Sequence, residues 1–238
     1  DAEGARIGAL MMIEDVSREK RLKSTMSRYM DSGIAEQLLG QGSEVLGGRD
    51  LVATILFSDV RSFTTLTEEL GAQGTVTMLN EYFTIMVDCI QAEGGMLDKF
   101  IGDAMMAIWN APLPIDNHEQ KAMKAAADIE KSMVNLNAEL KAEGLPTVQI
   151  GIGVNTGDAI VGNMGSKQRF DYSAIGDAVN VAARLESNTK EQGVDILVGS
   201  NTANAAPDGL TFHQHISADI KSLHFLFRYH KVKTFVNI

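Results

Sequence analysis

Residues 51–59, Leu-Val-Ala-Thr-Ile-Leu-Phe-Ser-Asp, are apolar at almost every position and end on a carboxylate. A short apolar run of this kind reads as a buried strand. A bare carboxylate at the end of such a strand is costly unless it is paired or ligating. A second carboxylate, Asp103, follows Lys99-Phe100-Ile101-Gly102 in what reads as the turn of a hairpin. Taken singly, each aspartate reads as strand-end solvation or a helix cap. Brought side by side they would repel each other, and a divalent cation would remove that penalty. Mg²⁺ is usually held by one or two carboxylates plus substrate phosphates. The pair therefore suggests a two-metal phosphoryl-transfer site.

The rest of the chain supplies the sheet such a site needs. Helices are predicted over residues 64–70 and 74–93, the second with Leu79, Phe83, Met86, Val87 and Ile90 on one face. Strands over 96–101 and 104–109 form the hairpin around Gly102-Asp103, and an Ala-rich helix runs from 118 to 143. Strands over 147–155 and 158–162 are expected to join at Thr156-Gly157, followed by a helix over 177–187 and a strand over 194–198. Two more strands are expected after Gly209. The order is strand, helix pair, hairpin, helix, strands. It predicts an α+β, ferredoxin-like (palm-like) sandwich: a mostly antiparallel sheet covered by helices on one side. There is no Gly-x-Gly-x-x-Gly opening a helix and no P-loop lysine motif, which argues against Rossmann and Walker-type sites.

Upstream, residues 6–15 read as a short strand and residues 18–39 as a helix with Leu22, Met26, Met30, Ile34 and Leu38 at four-residue steps. Gly40, Gly42, Gly47 and Gly48 mark a loop. The expected organisation is an upstream remnant over 1–17, a helical linker over 18–48 and a main domain over 49–238.

The formal net charge of −10 argues against a general nucleic-acid binder, which needs a basic face. It leaves room for a nucleotide substrate whose phosphates are held by metal and a few local cations. The single cysteine, Cys89, excludes an intrachain disulfide and reads as a buried structural thiol, in keeping with a reducing, cytoplasmic setting. No apolar run approaches the length of a membrane span. The five histidines lie in weakly patterned context, and no Ser-His-Asp or Cys-His set is expected.

Four segments together resemble one family. Phe57-Ser58-Asp59-Val60-Arg61-Ser62-Phe63-Thr64 resembles the first metal motif of class III nucleotidyl cyclase catalytic domains, and Asp98-Lys99-Phe100-Ile101-Gly102-Asp103-Ala104-Met105-Met106-Ala107 resembles the second. Residues 150–157, Ile-Gly-Ile-Gly-Val-Asn-Thr-Gly, are similar to the family's strand and turn, and residues 171–186 to its third functional block. The matches keep the family's order and spacing over roughly residues 50–200.

The resemblance implies that a ribose 3′-hydroxyl attacks the α-phosphate of a nucleoside triphosphate, releasing pyrophosphate and a 3′,5′-cyclic nucleotide. It implies that Asp59 and Asp103, with the Val60 carbonyl, hold two Mg²⁺ or Mn²⁺ ions. By the same resemblance Asn180 orients the ribose and Arg184 binds the α-phosphate. Lys99 stands where adenylyl cyclases read adenine N1, so ATP is favoured over GTP. Ser173 stands where many adenylyl cyclases carry an aspartate. A hydroxyl can donate or accept, so this second base contact is less discriminating, and a guanylyl or dual-specificity cyclase is the near alternative. A non-catalytic nucleotide-binding homologue is the more distant one. Ser173 also resembles a Ser/Thr-bearing subgroup in which bicarbonate stimulation is seen. Lys221, Lys231 or Lys233 stands in for the lysine that meets the terminal phosphates. Family sites form between two catalytic domains, and this chain carries both residue sets, which implies a homodimer with two equivalent sites. The 18–39 helix would then join the dimer to an upstream PAS-type sensor, or serve as an ordinary packing helix.

Overall fold

The computed structural model describes residues 47–205 apart from residue 167, together with the backbone of 211–215 and 226–230. The strand and helix expected upstream, the proposed boundary at residue 17, and Lys221, Lys231 and Lys233 lie outside the described residues.

The first strand, β1 (Gly47–Val60), is followed by α1 (Phe63–Ala92), β2 (Met96–Ile101), β3 (Ala104–Trp109) and α2 (His118–Ala142). Then come β4 (Ile150–Gly165), β5 (Phe170–Ile175), α3 (Asp177–Gln192), β6 (Ile196–Gly199), α4 (Ser200–Asn204), β7 (Thr211–His215) and β8 (Leu226–His230). The sheet runs β2-β3-β1-β4-β6-β8-β7, with β5 paired to β4 off this path. Among the described residues only the β4–β6 pairing is parallel. The α+β sandwich with a mostly antiparallel sheet is thus the observed architecture.

The apolar run at 51–58 lies in the interior of this sheet, flanked by β3 and β4. Its side chains alternate between the two faces. Leu56 and Val60 join the large core beneath α1 and α2, with Tyr82, Met86 and Ile90 from α1 and Met123, Ile129 and Met133 from α2. Each such side chain contributes roughly 1.5–3 kcal/mol when fully buried. A second cluster, Val181, Leu185, Val194 and Leu197, belongs to α3 on the other face. Helices therefore cover both faces, not one as expected. The reason lies in β4: Ile150, Ile152 and Val154 feed the α1/α2 core, while Gly151 and Gly153 between them admit α3 on the opposite side.

Three boundaries differ from expectation. β1 starts at Gly47, not in a loop, because Gly47 and Gly48 pair with Asn163 and Gly162. β4 runs unbroken through Thr156-Gly157, which pair with Thr54 and Ala53. Thr156 is also held by side-chain hydrogen bonds to Thr54 (2.8 Å) and Thr202 (2.9 Å), and Thr54 bonds His118 Nδ1 (2.8 Å). α3 continues to Gln192, where Gly193 ends it with φ +61°. The two helices expected before β2 meet at Gly71, whose non-helical backbone kinks α1. Cys89 is half-buried, and burial pushes its thiol up. No helix among the described residues is long and apolar enough to cross a membrane.

Candidate active site

β1 pairs with β3 as far as Ser58↔Met105, so Asp59 emerges beside the turn joining β2 to β3. That turn is Gly102-Asp103, closed by the pair Ile101↔Ala104. Gly102 has φ +68°, a conformation that a two-residue hairpin turn requires and glycine supplies without strain. Asp103 is thereby brought beside Asp59, whose side chain acts on its carboxyl. Asp103 accepts hydrogen bonds from its own amide and that of Val60, and Val60 N–H also donates to Asp59 Oδ1 at 3.0 Å. Burial, and next the Asp59 side chain, push the Asp103 carboxyl up to about 6.

A third carboxylate faces this pair. Gly151 sits opposite Asp59 in the ladder, and a Cβ on Gly151 would come within 2.7 Å of Glu186 Oε1 on α3. Burial raises the Glu186 carboxyl to about 7, Asp59 and Asp103 add to the rise, and Arg61 opposes it. Sequence reasoning missed Glu186. That residue closes the 171–186 block without a role there, and a second signal was Gly151-x-Gly153, two residues without side chains facing a helix.

The donor set fits hard divalent cations. It offers anionic and neutral oxygens with excess negative charge and no thiolate or imidazole, the chemistry of Mg²⁺ or Mn²⁺ sites. Among the described residues no group of three or more His, Cys, Asp and Glu is arranged to hold a metal alone. The rest of the coordination shell would come from backbone, substrate phosphates and water.

The residues expected to read the base gather elsewhere. Lys99 on β2 and Ser173 on β5 meet at Asp98, whose side chain is fully buried. Ser173 Oγ donates to Asp98 Oδ2 at 2.6 Å, and Lys99 Nζ lies 3.6 Å from Asp98 Oδ1. Asp98 was quoted in the sequence motif without a role, since its link to Ser173 spans 75 positions.

Asn180 and Arg184 lie one turn apart on α3, and both are exposed. At about 100° per residue, Glu186 lies roughly 140° around the helix from the midpoint of Asn180 and Arg184. Glu186 faces the Asp59–Asp103 pair of its own chain. The Asn180/Arg184 edge therefore faces away from that pair.

The profile of the adenylate and guanylate cyclase catalytic domain family matches residues 49–235. The chain belongs to this family. Adenylate cyclase 1 of Rhizobium meliloti is 34% identical over 208 residues, which are 83% of this chain and 31% of that protein. An adenylate cyclase of Anabaena cylindrica is 37% identical over 186 residues, 75% of this chain and 36% of that protein. The chain thus spans about a third of the length of the curated relatives it matches. Among solved structures, the adenylyl cyclase CyaB from P. aeruginosa is 29% identical with a TM-score of 0.72, covering 81% of this chain and all of that one (100%). The guanylyl cyclase Cya2 is 31% identical with a TM-score of 0.69, covering 81% of this chain and 98% of that one. These neighbours share the cyclase fold and include both nucleotide specificities.

Proposed function

We infer that this cyclase domain converts ATP to 3′,5′-cyclic AMP and pyrophosphate at a site shared between two copies of the chain. The observation that carries the choice of nucleotide is the cation of Lys99 beside the hydroxyl of Ser173, both held on Asp98. A lysine donates to adenine N1, an acceptor. The same position in guanine is an N–H donor, which a lysine cannot satisfy. The guanylyl reading rests on the likeness to Cya2. Assay of the purified chain with ATP and GTP, each with Mg²⁺ and with Mn²⁺, separates the two. Cyclic AMP as the preferred product supports the adenylyl reading, and a GTP preference overturns it.

In this reading Asp59, Asp103 and the Val60 carbonyl would hold two divalent ions, which when bound would supply charge neutralisation for the attacking oxygen and the triphosphate. Phosphoryl transfer of this kind asks the protein for position and electrostatics, not a covalent intermediate. Asn180 orients the ribose so that its 3′-oxygen lines up with the α-phosphorus. Arg184 meets the charge that builds on the α-phosphate, for which its fixed fork of donors is suited.

Two features support a shared site. The Asn180/Arg184 edge faces away from the carboxylates of its own chain, as a site completed by a second copy requires. The chain also exposes Ile160, Phe170 and Ile175 on the β4–β5 hairpin and Phe100 and Ile101 at the tip of β2. Contiguous exposed apolar side chains mark association surfaces. The upstream helix and sensor remain part of the proposed full-length architecture.

A further inference from the structure

We propose that Asp98 sets the base specificity of the site by consuming the only hydroxyl proton of Ser173, leaving that oxygen as an acceptor beside the Lys99 donor. The inference rests on the adenylyl reading above and deepens it.

Ser173 is 7% exposed, and the Asp98 side chain is fully buried. A buried carboxylate offers only acceptors, so the 2.6 Å contact has one proton and one direction: Ser173 Oγ–H to Asp98 Oδ2. Hydrogen bonds from hydroxyl to carboxylate at this length are among the strong ones, and the hydroxyl rotor is locked. Only the lone pairs of Ser173 Oγ are then left for a ligand.

The other carboxylate oxygen, Asp98 Oδ1, is buried without a hydrogen-bond partner. Such an orphan is costly unless a charge compensates it. Lys99 Nζ at 3.6 Å supplies that charge at ion-pair distance, and an ammonium carries three N–H donors, so engaging Asp98 with one leaves others for a ligand. Burial pushes the Asp98 carboxyl up, with Asp171 adding to the rise, while the Ser173 hydroxyl and the Lys99 ammonium favour its ionised form.

The result is a preset pair, one donor from Lys99 and one acceptor from Ser173. Adenine presents the complement, an acceptor at N1 and a donor at its exocyclic amine. Guanine presents the reverse, a donor at N1 and an acceptor at O6. The ambiguity of a serine at this position is removed by a residue that never touches the base. Asp98 is therefore a positioning residue.

The test is the ratio of kcat/KM for ATP to that for GTP in the dimeric protein, for the parent and for Asp98→Asn. An asparagine amide beside Lys99 turns its oxygen to the ammonium and its NH₂ to Ser173. The serine proton is then released toward the base. The ATP:GTP ratio should fall about tenfold or more, by relief of GTP discrimination as well as loss of ATP turnover. Equal losses with both nucleotides, at an unchanged ratio, would make Asp98 merely structural and overturn the proposal.

If Asp98→Asn does not fold, Ser173 decides the matter. Ser173→Ala should lower the ratio, and Ser173→Thr, which keeps the hydroxyl, should restore it. An unchanged ratio in Ser173→Ala overturns the proposal. Failure of the adenylyl reading shows separately, as a parent protein that prefers GTP before any substitution is made.

Discussion

Gly153 lies directly beneath Glu186: a Cβ there would stand 2.9 Å from Glu186 Cα and closer still to the Glu186 amide and the Ala182 carbonyl. Nothing larger than hydrogen fits between β4 and α3 at this point. Gly153→Ala must push α3 off the sheet, at a cost of about 1–3 kcal/mol for overpacking. The proposed Asn180 and Arg184 ride on the same helix, so activity should fall further than stability alone explains. Thermal unfolding and kcat of the folded fraction measure the two effects. A variant with a lowered Tm and the parental kcat would show that α3 position does not matter to turnover.

The proposed shared site makes a stronger prediction. Asp59→Ala and Arg184→Ala should each be nearly inactive, Arg184→Ala by a hundredfold or more if it supplies about 3 kcal/mol in the transition state. Mixed in equal amounts, they form heterodimers in which one site has both residues. Random pairing predicts recovery of about a quarter of parental activity. Heterodimers that demonstrably form and remain dead would exclude a site built from two chains.

The parts of this site legible in the sequence are those whose signal is local. The apolar run ending at Asp59 and the Gly102-Asp103 turn are each contained within ten residues, and both landed where expected. The parts that were not legible depend on contacts distant in sequence. Thr156-Gly157 has the composition of a turn, yet the β1 register and the hydroxyls of Thr54 and Thr202 carry the strand through it. The β5 strand, which brings Ser173 to Asp98, went unassigned because its Phe170-Asp171-Tyr172-Ser173 start is short and mixed in polarity. Glu186 was invisible for the same reason that Gly153 is informative: its role depends on how closely α3 approaches the sheet.

Next to Asp59, Ser58 Oγ and Tyr82 Oη share a hydrogen bond of 3.0 Å with both residues fully buried. Tyr82→Phe leaves the serine hydroxyl unpaired and should cost about 1–3 kcal/mol, as should Ser58→Ala for the tyrosine. The double substitution removes both groups together and should cost clearly less than the sum. Denaturant unfolding of the four proteins gives the coupling energy directly. Strict additivity would mean that the bond contributes nothing to holding α1 against β1.

The clustered carboxyls predict a pH dependence opposite to that of ordinary salt-bridged acids. Asp103 is raised from 3.8 to about 6 and Glu186 from 4.5 to about 7 in the folded protein without metal. A raised folded pKa means that the folded state holds protons the unfolded state has already lost. The contribution of these two groups to the stability of the metal-free protein therefore falls as pH rises, across a window from about 4 to about 7. At the proposed cation site, saturating Mg²⁺ or Mn²⁺ would replace those protons, so it should flatten the decline and release protons on binding. Titration calorimetry in two buffers of different ionisation enthalpy counts the released protons, and Tm against pH with and without metal reads the slope. Asp103→Asn should remove part of the metal-free slope and most of the metal's effect on Tm. A metal-free protein whose Tm climbs steadily through this window would mean that the carboxyls do not crowd one another, and the proposed cation site would lose its physical basis.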